Sequence, residues 1–160
     1  MTGKQPVLAF AAASGRVAHV LVVKDSIKSL GMSRKASMGP QEARAYAAQQ
    51  IEQLRPDIVL TEKLRTPSKK GAKTREIIGA LRSVAELADV ESLAVVRSQA
   101  HANRFVEAQD LARRYPMLQP YLPKPRRLWD PEPKSLIYFE ALSLIESTFG
   151  KPASSQTRPQ

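Results

Sequence analysis

The sequence predicts an α/β fold: one mixed sheet, antiparallel in its N-terminal hairpin strands and parallel after them, with helices on both faces. Three observations lead there. Two apolar, β-branched runs stand on either side of a Ser14-Gly15 step, the pattern of a β-hairpin. Short apolar strand candidates then alternate with longer stretches whose apolar residues recur at helical spacing. Finally, 160 residues is the usual size of one such layered domain.

The elements follow in order. Pro6 to Ala13 and Arg16 to Val23 form the hairpin, and Asp25 to Met32 adds a weaker third strand. His19 alternates with apolar neighbours and is expected on the exposed face. SRKASMGP is a polar loop ending in Gly39-Pro40, and Pro40 suits the first turn of a helix because its missing N–H costs nothing there. Ala43, Ala47, Gln50/Ile51 and Leu54 give that helix its apolar side, and Pro56 ends it. Asp57 to Thr61 reads as a buried strand that delivers Glu62 at its C-terminal end. Lys63 to Lys73 is a cationic loop, and Thr74 is placed to cap the helix carrying Ile77, Ile78, Leu81, Val84, Ala85 and Ala88. Ser92 to Val96 is a further strand. His101 to Arg114 is a helix with Phe105, Ala108, Ala112 and Tyr115 roughly aligned. Tyr115 to Pro133 holds half of the chain's 12 prolines and should be irregular and extended. Lys134 to Phe149 closes the fold as a helix with Leu136, Phe139, Leu142 and Ile145 spaced for burial. The expected organisation is one domain over residues 1–149 and a disordered tail over 150–160.

Composition narrows the function. Lysine and arginine number 25 against 15 acids, a formal charge of +10. That excess favours polyanionic partners, nucleic acid and DNA first, because neutralising phosphates releases counterions; basicity for solubility alone is the plainer alternative. With no cysteine, disulfides, iron–sulfur clusters and thiolate zinc sites are excluded. No apolar run approaches the ~18–20 residues of a membrane span, and the first residues lack a signal-peptide core, so a cytoplasmic protein without membrane contact is expected. There is no Walker A loop, GxGxxG or GxSxG.

Two acids stand out. Glu62 follows a buried strand, at the sheet edge where open α/β sheets build their sites, and Lys63, Arg65, Lys69, Lys70, Lys73 and Arg75 crowd in behind it. It reads either as a salt-bridge partner of those cations or as a metal ligand beside a phosphate-binding loop. Glu140 lies between Phe139 and Leu142 and should sit at the buried boundary, where a carboxylate needs a partner or a metal. Asp130 and Glu132 precede the last helix and suit its positive end. Arg126, Arg127 and Lys124 flank Trp129, which stacks on a base or pins its loop to the core.

In their order these pieces resemble the RNase H-like superfamily, most closely its RuvC-type branch of Holliday-junction resolvases. VLAFAAASGRVAHVLVV looks like that family's opening hairpin, DIVLTE like its Glu-bearing strand and YFEALSLIE like its final helix. The resemblance implies a nucleic-acid-binding protein, a metal-dependent endonuclease when its acids are complete, and a homodimer. It places Glu62 and Glu140 as ligands of Mg²⁺ or Mn²⁺ that would orient a water for in-line attack. Lys63, Arg65, Lys69, Lys70, Lys73, Arg75, Arg126 and Arg127 would then grip phosphates. The chain departs from the pattern where Ala12 stands for the first-strand Asp and Ile137 for a late-helix acid, leaving Glu132 or Asp130 to serve from the loop. A weakened or lost active site follows. The alternative is a non-catalytic interaction module of phage, plasmid or conjugation origin.

Overall fold

The computed structural model describes residues 5–65, 70–97, 104–122 and 135–150. A five-stranded sheet runs in the order β3-β2-β1-β4-β5, built from β1 (Val7–Ala13), β2 (Arg16–Val23), β3 (Ser26–Ser33), β4 (Ile58–Glu62) and β5 (Glu91–Val95). β1, β2 and β3 pair antiparallel, whereas β1–β4 and β4–β5 are parallel. This is the mixed sheet, antiparallel at its N-terminal strands and parallel after them, expected from the sequence. Among the described residues no helix is long and apolar enough to cross a membrane.

Two tight turns set the antiparallel half. Ala13 pairs with Arg16 across Ser14-Gly15, and Gly15 takes φ +82°, a conformation glycine adopts without steric cost. Val23 pairs with Ser26, and both intervening residues, Lys24 and Asp25, are left-handed with φ of 54° and 63°. That geometry matches the right-handed twist of a hairpin; Asp25 tolerates it well, whereas Lys24 is not a preferred occupant. The third strand therefore begins after Asp25, not at it.

Strand alternation divides the interior in two. Val7, Ala9, Ala11, Ile58 and Leu60 face one core with α3 (Arg104–Arg114) and α4 (Leu136–Phe149). Leu8, Phe10, Ala12 and Val59 face the other, with α1 (Pro40–Leu54) and α2 (Ala72–Leu87). α1 and α2 are ordinary amphipathic helices. α4 differs, because every residue from Leu136 to Ile145 is buried, so its polar members are committed to the interior along with its apolar ones.

Several local expectations are corrected. Gly71 is the N-cap of α2, so Thr74 lies inside the helix and Lys73 belongs to its first turn. Pro116–Tyr121 is a short 3-10 helix instead of extended chain: Leu118 is fully buried and the Tyr121 ring meets Tyr138 of α4 edge-on at 5.0 Å. Residues 98–103 and 123–134, with His101, Arg126, Arg127, Trp129, Asp130 and Glu132, lie outside the described residues, as do Lys69 and the tail beyond Gly150.

His19 is not on an exposed face; it is 5% exposed. Its Nδ1 lies 2.6 Å from the Tyr46 hydroxyl and its Nε2 3.2 Å from Ser29 Oγ, and it packs across the strand pair on Gly31. The alternation rule gave it a face but not what covers that face, which is Tyr46 of α1. Burial lowers the imidazole pKa to about 4, so the native state holds it neutral. Because the unfolded chain binds the proton first, stability is retained above the unfolded value near 6.5 and lost as pH falls toward about 4. Unfolding measured by urea at several pH values is expected to show a loss of a few kcal/mol over that window, and His19→Asn is expected to flatten it. A wild-type profile level from pH 6.5 to 4 would contradict this assignment.

Candidate functional site

The carboxyl ends of β1, β4 and β5 share one edge of the sheet because those three strands run parallel. The Val7↔Ile58 register, continued two residues at a time, puts Glu62 on the same face as Leu60 and opposite Ala11. α4 covers that face. It carries Glu140 within reach, and Glu140 is only 3% exposed. The structure therefore brings together the two acids singled out by sequence.

The first-strand position is assigned differently. Ala12 points to the opposite core, so Ala11 is the residue beside Glu62. Both carry only a methyl group, and no carboxylate enters from β1. What β1 supplies is its backbone: the Ala12 carbonyl accepts a hydrogen bond from Lys70 Nζ at 2.7 Å. The same ammonium donates to Glu140 Oε1 and lies 3.6 Å from Glu62 Oε1. One lysine thus gathers the ends of β1, β4 and α4.

Arg97, two residues past β5, supplies a second cation. Its guanidinium lies 2.9 Å from Glu107 Oε1 on α3 and 3.7 Å from Glu140 Oε2. Burial raises the Glu62 pKa, Lys70 and Arg97 pull it down, and Glu140 pushes it up; the result is a net rise. On the other side Arg82 of α2 holds the end of β4, donating to the Glu62 carbonyl at 2.7 Å and lying 3.4 Å from Thr61 Oγ1.

Lys70 was grouped with the phosphate-gripping cations, yet its ammonium points inward. Lys63, Arg65, Lys73 and Arg75 are exposed; Arg65 also donates to the Arg97 carbonyl at 2.6 Å. Sequence reasoning missed Arg97 and Glu107. Arg97 carried the same signal as Glu62, a charged residue closing a short apolar run. Glu107 sits one turn before Leu111 on a buried stripe.

A divalent ion of the Mg²⁺ type needs several oxygen ligands with surplus negative charge. Among the described residues no three histidines or acids converge. The two glutamates that do converge are already compensated by an ammonium and a guanidinium. As arranged, these residues do not fit a Mg²⁺ or Mn²⁺ pair.

No protein-family model matches this chain, and no curated protein matches it in sequence. In three dimensions it is a mixed sheet between two helical layers, a fold shared with solved structures of Holliday junction resolvases. The Thermus thermophilus RuvC structure superposes with a TM-score of 0.62 at 15% identity, over 91% of this chain and 97% of that one. The same protein in complex with a Holliday junction substrate gives 0.59 at 15% identity, over 92% and 99%. The fowlpox virus Holliday junction resolvase gives 0.58 at 13%, over 89% and 97%.

The Arg97 contacts make a direct prediction. Truncating one partner of a largely buried ion pair leaves the other charge uncompensated, at a cost of about 3–5 kcal/mol when burial is full. Arg97→Ala is expected to lose about 2–3 kcal/mol in a denaturant titration, the smaller value reflecting the 18% exposure of its side chain. Adding Glu107→Gln should return part of the loss. Strict additivity of the two changes would deny the pair any coupling.

Proposed function

We propose that this chain binds branched or duplex nucleic acid, DNA in the first instance, at the carboxyl edge of its sheet, and that it does so without hydrolysing the phosphodiester. The observation that carries this reading is the state of the acids at that edge. β1 brings no carboxylate, and Glu62, Glu140 and Glu107 face cations of the same chain. A bare acidic cluster would repel phosphate. Here Lys70 and Arg97 offset most of the buried charge from within, and the exposed Lys63, Arg65, Lys73 and Arg75 are left to set the field outside.

The start of α2 supports the same conclusion. Its first turn carries Lys73 and no acid, and the Gly71 N-cap offers no side-chain bond. Cations at a helix N-terminus oppose the macrodipole, so their presence costs the free protein stability that a bound polyanion would restore. Likeness to resolvases whose structures include a Holliday junction makes a four-way junction the first substrate to try. The loss of the first-strand acid favours the non-catalytic reading over that of a weakened nuclease. Glu132, Arg126 and Arg127 remain candidates for contacts from the segment before α4, and a homodimer is the assembly that the resolvase likeness suggests.

Junction and duplex binding should be measured by fluorescence anisotropy over a salt series, with EDTA or Mg²⁺. Affinity is expected to fall steeply with salt and to be the same with either additive. Each of Lys63→Ala, Arg65→Ala, Lys73→Ala and Arg75→Ala that removes a phosphate contact should lower the log–log slope by roughly 0.9. Mg²⁺-dependent incision of the junction, or binding indifferent to salt, would overturn the proposal.

A further inference from the structure

We infer that Lys70 is the resident cation of a latent divalent-metal site: its ammonium fills the position at which Glu62, Glu140 and the Ala12 carbonyl would otherwise hold one metal ion. This goes beyond nucleic-acid binding and does not depend on it.

Three separate elements send oxygens to one point. Glu62 comes from the end of β4, Glu140 from α4 and the Ala12 carbonyl from the end of β1, and all three converge on a single Nζ. Two carboxylates and a carbonyl are hard oxygen donors, the chemistry that Mg²⁺ and Mn²⁺ prefer. Carboxylates brought this close repel each other unless a cation lies between them, and Glu140, at 3% exposed, cannot turn to water instead. Some cation is therefore required at this point, and the chain supplies its own from the residue before Gly71. An ammonium supplies one positive charge, with the Arg97 guanidinium beside Glu140 adding a second, and it donates hydrogen bonds, but it has no vacant orbital for a water or a phosphoryl oxygen. Being covalently tethered, it also competes at a high effective concentration.

The contrast with an ion is measurable without any nucleic acid. Purified full-length protein is titrated with Mn²⁺ and followed by electron paramagnetic resonance of the free ion and by thermal melting. Wild type is expected to show no saturable site in the millimolar range. Lys70→Ala, which empties the position and leaves the three oxygens, is expected to melt lower than wild type without metal. It should bind one Mn²⁺ at least tenfold more tightly than wild type and regain melting temperature as Mn²⁺ is added. Glu140→Gln in the Lys70→Ala background should abolish that gain, and Lys70→Arg should stay blind to Mn²⁺. If Lys70→Ala does not fold alone, folding restored by Mn²⁺ but not by equal ionic strength of Na⁺ supports the inference, and failure with both overturns it. A saturable wild-type Mn²⁺ site lost in Glu62→Gln would overturn it too, since the ammonium would then be yielding to the ion. Failure of junction binding would leave all these outcomes unchanged, so the two proposals fall separately.

Discussion

The structure depends on how charge is balanced where α4 meets the sheet. α4 is buried over most of its length, which supplies the larger core but carries Glu140 inside with Tyr138, Phe139 and Leu142. An isolated carboxylate cannot be held there, so the fold must bring cations to it from elsewhere. They come from opposite directions. Lys70 arrives from the start of α2 and Arg97 from beyond β5, and each also meets a second acid. These pairs tie helices from different layers to the ends of three strands. Each lost partner leaves a charge stranded in low dielectric, which makes the cluster a condition of folding as much as a feature of the surface.

Much of the fold was legible because the signals that determine it are local. Apolar strands bounded by Ser-Gly and Pro, and a Pro placed to open α1, need no knowledge of the rest of the chain. Errors of one residue at the ends of β4 and β5 arose because ladder pairing, not composition, decides where a strand stops. Glu62 and Glu140 were visible for the same local reason, each standing at the margin of an apolar run. The role of Lys70 was not. Within a stretch of cations nothing distinguishes the residue that turns inward from those that stay in solvent, since the difference lies in acids that are distant in sequence. The covering of His19 by Tyr46 and the docking of the Pro116–Tyr121 turn on α4 are likewise tertiary facts.

The same distinction separates fold from activity. A sheet of this order with helices on both sides is maintained by alternating apolar residues, and similarity to resolvase structures extends over some nine-tenths of the chain at 13–15% identity. Chemistry resides in a few side chains placed on that frame. Ala11 can stand in place of an acid without disturbing the frame, since a methyl group in the apolar cluster that also holds Leu60 and Ile137 packs at least as well as a carboxylate. The architecture is therefore compatible with a hydrolytic site or with its absence, and only the charges at the strand ends discriminate between them.

On the non-hydrolytic reading proposed above, those charges matter for a reason that goes beyond the count of acids. A metal ion in a nuclease activates a water and stabilises the leaving oxygen because it accepts electron pairs. An ammonium in the same place carries half the charge of such an ion and does neither. Restoring hydrolysis would thus require two changes that both add negative charge: an acid introduced at Ala11, on the face Glu62 and Glu140 share, and a cation withdrawn at Lys70. An acid added alone would be drawn into the existing ion pairs, and a lysine withdrawn alone would leave two carboxylates to hold one ion between them. On the binding reading proposed above, the interior acids are largely paired within the chain, and the exposed cations of α2 and of the segment after β4 are the groups left to meet a polyanion.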